Sequence, residues 1–321
     1  IYRRFSKLLA WADKVRQLGI RANADLPAQA AIAYAFGAHG IGLCRTEHMF
    51  FGENRLPIMQ RMILAETEAD RRGALAELLP YQRQDFYELF KAMRGLPVTI
   101  RMIDPPLHEF LPKREDLMVE VARLEASNGD AGEIARKQRL LQRVEHLHEF
   151  NPMMGHRGVR LGVSYPEITE MQTQAIIEAA CLMAKDGKRV VPEIMIPLVG
   201  HVKELRDQKT VVERVAAETM RAQGVKVKYL VGTMLEVPRG AITAVAIAAE
   251  AEFFSFGTND LTQMAFGFSR DDAGKFLRVY RDRRILDKDP FASIDVDGVG
   301  ALVRIAAEKG RGTRPDLKLG I

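Results

Sequence analysis

Short runs of β-branched and apolar residues alternate with helix-patterned stretches along almost the whole chain, and this alternation limits the fold more than any other feature. The strand candidates are Ile20–Ala24, Gly40–Cys44, Val98–Ile103, Met153–Gly155, Val190–Ile196, Tyr229–Leu235, Phe253–Phe256 and Leu317–Ile321. Helical patterns lie between most of them: Pro27–Gly37, Gln82–Met93, Pro166–Lys185, Val202–Ala222 and Val296–Lys309. In Pro166–Lys185 the residues Ile168, Met171, Ala175, Ala179 and Leu182 recur at three and four, and Gly187 stands just past the end as a stop. Strand–helix alternation of this kind predicts a parallel β/α architecture. Eight repeats of it predict a (β/α)8 barrel, with a doubly wound open sheet as the alternative.

The usual barrel needs about 250 residues. The surplus of this 321-residue chain falls in two places. Residues 1–18 read as an N-terminal linker helix, "IYRRFSKLLAWADKVR", with Phe5, Leu8, Leu9 and Ala12 along one side. Residues 19–321 form the barrel, and the charged stretch Pro105–Phe150 is a helical insertion after the third strand. The last run, Leu317–Ile321, takes the place of strand eight, so the barrel is expected to stop just after it.

Composition excludes several classes. Apolar runs are broken by Pro, Glu, Arg or Lys before they could span a bilayer, so no membrane partner is expected. A formal charge of +5 with interleaved signs, and no aromatic-basic module, speaks against nucleic acid. Cys44 and Cys181 are the only cysteines, which fits a reducing compartment such as the cytoplasm. A plastid or another organelle remains open, since a targeting segment would lie outside these residues. The sequence has no initiator Met and reads as a fragment.

In a barrel, ligands bind at the C-terminal ends of the strands. The residues there are Arg45 in "GIGLCRTEH", Arg101 in "PVTIRMID", and His156, Arg157 and Arg160 in "GHRGVR". Glu236 follows in "GTMLEVPRG", and Asn259 and Asp260 in "GTND", with Arg270 ten residues beyond Asp260. Guanidinium forks suit phosphate and carboxylate oxygens. Two separated carboxylates suit a hard cation such as Mg²⁺, which completes its shell with waters and substrate. The expected ligand is therefore small, anionic and chelating. Each element also has a plainer explanation. A single Arg is usually a solvated or ion-paired surface group, "GTND" can be a turn with a helix cap, and Glu236 can pair with Arg239. It is the coincidence of five strand ends that favours a site.

Other signals are weaker. His146 and His148, two residues apart, fall on different helix faces. Cys44 is expected to point into packing, and the 14 methionines to fill core. No Walker A sequence and no Gly-x-Gly-x-x-Gly after a strand occurs.

The stretch "EFFSFGTNDLTQMAFGFSR" (252–270) resembles the C-terminal signature of the phosphoenolpyruvate-utilising enzymes along its whole length. "GIGLCRTEHMFF", "RMIDPPLHEFLP", "HEFNPMMGHRGVRLG" and "WADKVRQLGIRANAD" resemble one branch of that family, the one converting ATP, phosphate and pyruvate to AMP, phosphoenolpyruvate and pyrophosphate. The resemblance covers nearly the whole chain. It implies a phosphotransferase domain that binds pyruvate or phosphoenolpyruvate in a barrel. Arg45 and Arg101 would hold the phosphoryl group and the enolate oxygen, and Glu236 and Asp260 would bind Mg²⁺. Gly257, Thr258 and Asn259 would contact substrate, with Arg270 assisting by its charge and Arg157 on the same rim. The implied partners are a phosphohistidine domain of the same parent chain and a second copy, in a homodimer made through the barrel.

The resemblance also implies an acid/base cysteine in a "CGEHGGDP"-like segment, which would come next after Ile321. Neither Cys44 nor Cys181 matches that motif, so no catalytic acid/base is assigned within these residues, and the fragment alone is expected not to run the overall conversion. Another member of the family, such as phosphoenolpyruvate synthase or enzyme I of the sugar phosphotransferase system, is the nearest alternative. A non-catalytic binding or dimerisation module is the alternative from a different class.

Overall fold

The computed structural model describes residues 2–321. Seven parallel strands form one sheet in sequence order: β1 (Ala22–Asn23), β2 (Ile41–Arg45), β3 (Pro97–Arg101), β4 (Val191–Ile196), β5 (Leu230–Leu235), β6 (Phe253–Phe256) and β7 (Lys318–Gly320). Parallel neighbours need crossover connections, and helices supply them. Among these are Pro27–Ala35, Glu68–Met93, Pro166–Lys185, Val202–Gln223 and Val299–Thr313, while Tyr2–Val15 precedes the first strand.

The sheet is curled as a barrel wall is. Glu193 on the middle strand β4 bonds Arg21, which adjoins β1, and Lys318, on β7. In a flat sheet three strand spacings would separate these residues by about 14 Å. They can meet only if both ends of the sheet bend round to face β4. The expected β/α barrel is thus the architecture, built here from seven strands, with β1 and β7 at the two ends of the strand order.

The fourth of the eight expected strands, Met153–Gly155, is not one. Pro152–Met154 forms a 3-10 turn, and β3 pairs directly with β4 from Pro97↔Val191 to Arg101↔Met195. That unbroken register leaves no place for a strand between them. The final run is accordingly the seventh strand. The stretch after β3 carries the expected insertion, as helices Arg114–Ala126 and Ala131–Leu147 packed on each other.

Packing follows the pleat. Residues such as Ile100, Ile194, Ile196 and Val231 are buried against the helix layer, notably Ile176, Ala180, Val212 and Ala216. Met195, Met234 and Phe253 form a small apolar group of their own. A further core, with Phe50, Met62, Leu78, Phe110 and Leu161, joins the insertion to the barrel. Helix Glu68–Met93 packs along Pro166–Lys185, binding that side to the wall.

Candidate functional site

Parallel register brings the first pair of charges together. Arg45 ends β2 directly opposite Arg101 at the end of β3. The two differ in burial: Arg101 is 8% exposed, whereas the Arg45 side chain is 34% exposed. Arg45 is steadied from β1, where Asp25 accepts its backbone N–H at 2.7 Å and lies 3.9 Å from its Nη1.

Arg101 opens a buried ionic chain. Its guanidinium donates to Glu47 and forms an ion pair with Asp104 Oδ2 at 2.9 Å. Asp104 Oδ2 also accepts from Arg157 Nη2 at 2.5 Å, and the same Nη2 lies 3.3 Å from Asp260 Oδ2. Gln263 Nε2 donates to Asp260 Oδ1 at 3.3 Å. Burial alone would discharge these arginines; for Arg101 it is outweighed by Asp104, Glu47 and Glu236, and for Arg157 by Asp104 and Asp260. Both guanidinium groups stay charged.

Asp260 does not cap its helix. Helix Thr258–Phe266 begins after Gly257 without a side-chain cap, and the Asp260 carboxylate is buried against Arg157 and Gln263 instead. This separates the turn-and-cap explanation of "GTND" from a site role. Glu236 likewise does not pair with Arg239, which donates to the carbonyl of Gly200. Its Oε1 accepts the backbone N–H of Leu198 at 2.7 Å. Leu198 holds that N–H in place at φ +63°, a conformation costly for a branched side chain. On the other side, a Cβ at Gly257 would stand 2.6 Å from Glu236 Oε2, so only glycine fits there. Burial, then the charges of Asp104 and Asp260, push the Glu236 carboxyl well above its ordinary range.

Four carboxylates (Glu47, Asp104, Glu236 and Asp260) are therefore buried with two buried guanidinium groups, Arg101 and Arg157. Glu47 Oε2, Asp104 Oδ1, Arg101 Nε and Arg157 Nε have no hydrogen-bond partner among the described residues. Such atoms are costly to leave unmet. An excess of buried anions beside unused N–H donors fits a divalent cation together with an anionic ligand. No group of three or more His, Cys, Asp or Glu side chains converges as a metal cage among the described residues. Mg²⁺ does not need one, because waters and substrate complete its shell.

The remaining expected residues lie further out. Thr258 and Asn259 start the helix after Gly257, and Arg270 Nη1 donates to Asn259 Oδ1 at 2.6 Å. Arg160 binds the carbonyl of Gly155, and His156 turns to Ser164 Oγ at 2.9 Å. Neither joins the ionic chain. Sequence reading passed over Glu47, Asp104, Gln263 and the Leu198 N–H. Glu47 and Asp104 carried a signal, since each follows an arginine already singled out by two or three residues. Cys44 is fully buried, and burial, then Asp25 and Glu47, raise its thiol well above the usual value.

Fold and site together define a β/α-barrel domain with a buried, charge-paired cluster at its strand ends. The chain matches the PEP-binding domain of the PEP-utilising enzymes over residues 2–317, and it belongs to that family. It is 58% identical over 318 residues to a pyruvate, phosphate dikinase of Rhizobium meliloti (strain 1021), covering 99% of this chain and 34% of that protein. It is 55% identical to the chloroplastic pyruvate, phosphate dikinase 1 of Arabidopsis thaliana, covering 98% and 32%. With the pyruvate, phosphate dikinase of Clostridium symbiosum it shares 53% identity, covering 99% and 36%. The chain spans about a third of the length of these relatives.

Proposed function

We propose that this chain is the pyruvate/phosphoenolpyruvate barrel of a pyruvate, phosphate dikinase, and that it carries the phosphoryl transfer between a phosphohistidine and the enolate of pyruvate. The observation that carries this reading is the buried excess of carboxylates beside Arg101 and Arg157 at the strand ends of a PEP-binding domain. The names of the relatives, matched over nearly the whole of this chain, point to the same reaction.

Pyruvate has to lose a methyl proton and present its enolate oxygen to a phosphoryl group. Arg101 and Arg157 are held charged and pre-oriented by Asp104, so they meet developing negative charge without reorganising. Their unpartnered Nε–H groups are donors for substrate oxygens. Arg45, more exposed and set opposite Arg101, suits the phosphoryl group as it arrives from outside. Glu236 and Asp260 would hold Mg²⁺, which when bound supplies Lewis-acid stabilisation of the enolate and phosphoryl oxygens. Gly257 keeps backbone close to Glu236, and Asn259, tied to Arg270, stands in the first turn of the helix that follows, where it would contact substrate. No residue of this chain is assigned the methyl proton.

A phosphohistidine domain as donor, homodimerisation through the barrel, and a cytoplasmic or plastid setting belong to the same proposal. They rest on the resemblance and, for the plastid, on the chloroplastic relative.

The test is calorimetric titration with oxalate, a planar mimic of pyruvate enolate, with Mg²⁺ and then with EDTA. Binding only with Mg²⁺, and its loss in Glu236→Ala, is the expected result. Oxalate binding that ignores both Mg²⁺ and Glu236→Ala would overturn the assignment.

A further inference from the structure

The N-terminal ends of the strands carry a second concentration of charge, at the opposite end of the barrel from the proposed substrate site. A cavity of about 500 Å³ opens there between the entries to β4, β5 and β7. Five cations line it: Lys188, Arg189, Lys226, Lys228 and Lys318. A neighbouring cavity of about 280 Å³ shares Lys188 and Arg189 and adds Lys91 and Arg94.

Two of these five cations have a carboxylate partner and three do not. Lys318 reaches Glu193 at 3.3 Å, and Lys188 lies 3.6 Å from Asp186. Arg189, Lys226 and Lys228 meet no carboxylate within ion-pair distance among the described residues. Like charges gathered without counter-ions repel one another. The wall between them is apolar, made by Val190, Val191, Val227 and Leu230, with the half-buried ring of Tyr229 beside them.

We propose that this cavity binds a nucleoside polyphosphate. Its volume lies in the range of small-molecule sites. The unpaired Arg189, Lys226 and Lys228 match a run of phosphate oxygens. The Tyr229 ring and the valines match the flat apolar face of a base. An inorganic anion would leave that wall unused, and a macromolecular surface would not enter a concave space of this size.

The experiment titrates the 321-residue chain with ATP, with inorganic pyrophosphate and with adenosine, at fixed ionic strength. Saturable binding of ATP at one site is expected, at least tenfold tighter than pyrophosphate, with no binding of adenosine. Lys226→Gln/Lys228→Gln, at exposed positions, should weaken ATP at least tenfold and leave Mg²⁺-dependent oxalate binding unchanged. Tyr229→Leu should weaken ATP but not pyrophosphate. A control, Arg136→Gln/Lys137→Gln, removes the same charge from the insertion and should have no effect. Absence of ATP binding, or equal loss in the control, overturns the site. Equal affinity for ATP and pyrophosphate overturns the role given to Tyr229 and the valines.

Discussion

Asp104 and Arg157 meet at 2.5 Å with side chains only 4% and 7% exposed. Asp104 also holds Arg101, so one carboxylate orients both buried guanidinium groups of the site. Removing one partner of a buried pair leaves an uncompensated charge, which typically costs about 3–5 kcal/mol. Asp104→Ala should therefore lower stability by roughly that amount, read as a fall in the urea midpoint at unchanged slope. Asp104→Asn, which keeps the shape and an acceptor, should lose less.

Glu236 makes stability depend on pH. Its folded carboxyl is raised well above 4.5, by burial first and then by Asp104 and Asp260. The folded protein therefore binds more protons than the unfolded chain between 4.5 and the raised value, and metal-free stability falls as pH rises through that window. Glu236→Gln should flatten this part of the profile in EDTA and raise stability at neutral pH. Urea midpoints measured between pH 4.5 and 8 for the two proteins check it. A profile unchanged by the substitution would mean that Glu236 is ionised without metal.

Mg²⁺ binding should release protons for the same reason, because a ligating carboxylate must be ionised. Titrating Mg²⁺ with oxalate in buffers of different ionisation enthalpy measures the number released. The expected outcome is a net release near neutral pH that disappears in Glu236→Gln.

Gly257→Ala tests the close approach beside the carboxylate. The added Cβ would fall 2.6 Å from Glu236 Oε2 and 2.8 Å from Glu236 Cβ. Backbone or carboxylate must shift, at a cost of about 1–3 kcal/mol. Oxalate affinity should fall at least tenfold while far-ultraviolet dichroism stays unchanged.

At the other end of the barrel the sign reverses. Burial works against ionisation of Glu193, but hydrogen bonds and charge from Arg21, then Thr99 and Lys318, outweigh it and hold its carboxyl below the ordinary 4.5. That contribution is present above the unfolded value and is lost as pH falls through the depressed one. Glu193→Gln should cost about 1–3 kcal/mol at pH 7, with a smaller difference at low pH, since Arg21 and Lys318 can still reach water.

Much of this was legible in the chain. Val190–Ile196, Tyr229–Leu235 and Phe253–Phe256 were readable as strands because buried parallel strands are continuous apolar runs, and the structure places them within a residue or two. Met153–Gly155 misled because two methionines between Pro152 and Gly155 look the same in a strand and in a packed turn. Register across β3 and β4, which decides the matter, is not a local property. Arg101, Glu236 and Asp260 are legible from their strand-end positions, and Arg157 from its place after a run that the structure folds as a 3-10 turn; the structure gathers all four. Arg45 and Arg270 lie at the edge of that group. The Leu198 N–H was invisible, since it acts through the backbone. Glu47 and Asp104 were overlooked because attention to arginines hid the anions needed to keep them buried.

The strictly sequential strand order has a consequence for how the chain reaches its fold. Each strand pairs with the next one made, so the sheet can grow strand by strand as residues emerge, without waiting for the far end. The β3–β4 pairing closes the longest connection, because the whole insertion and helix Pro166–Lys185 lie between its partners. Each doubling of a loop adds only about 0.6 kcal/mol of closure entropy. Even so, this is the longest loop to close in the sheet. Until it closes, Arg101 and Asp104 wait on one folding unit and Glu236 and Asp260 on another, and the ionic chain can form only as the two halves of the barrel dock.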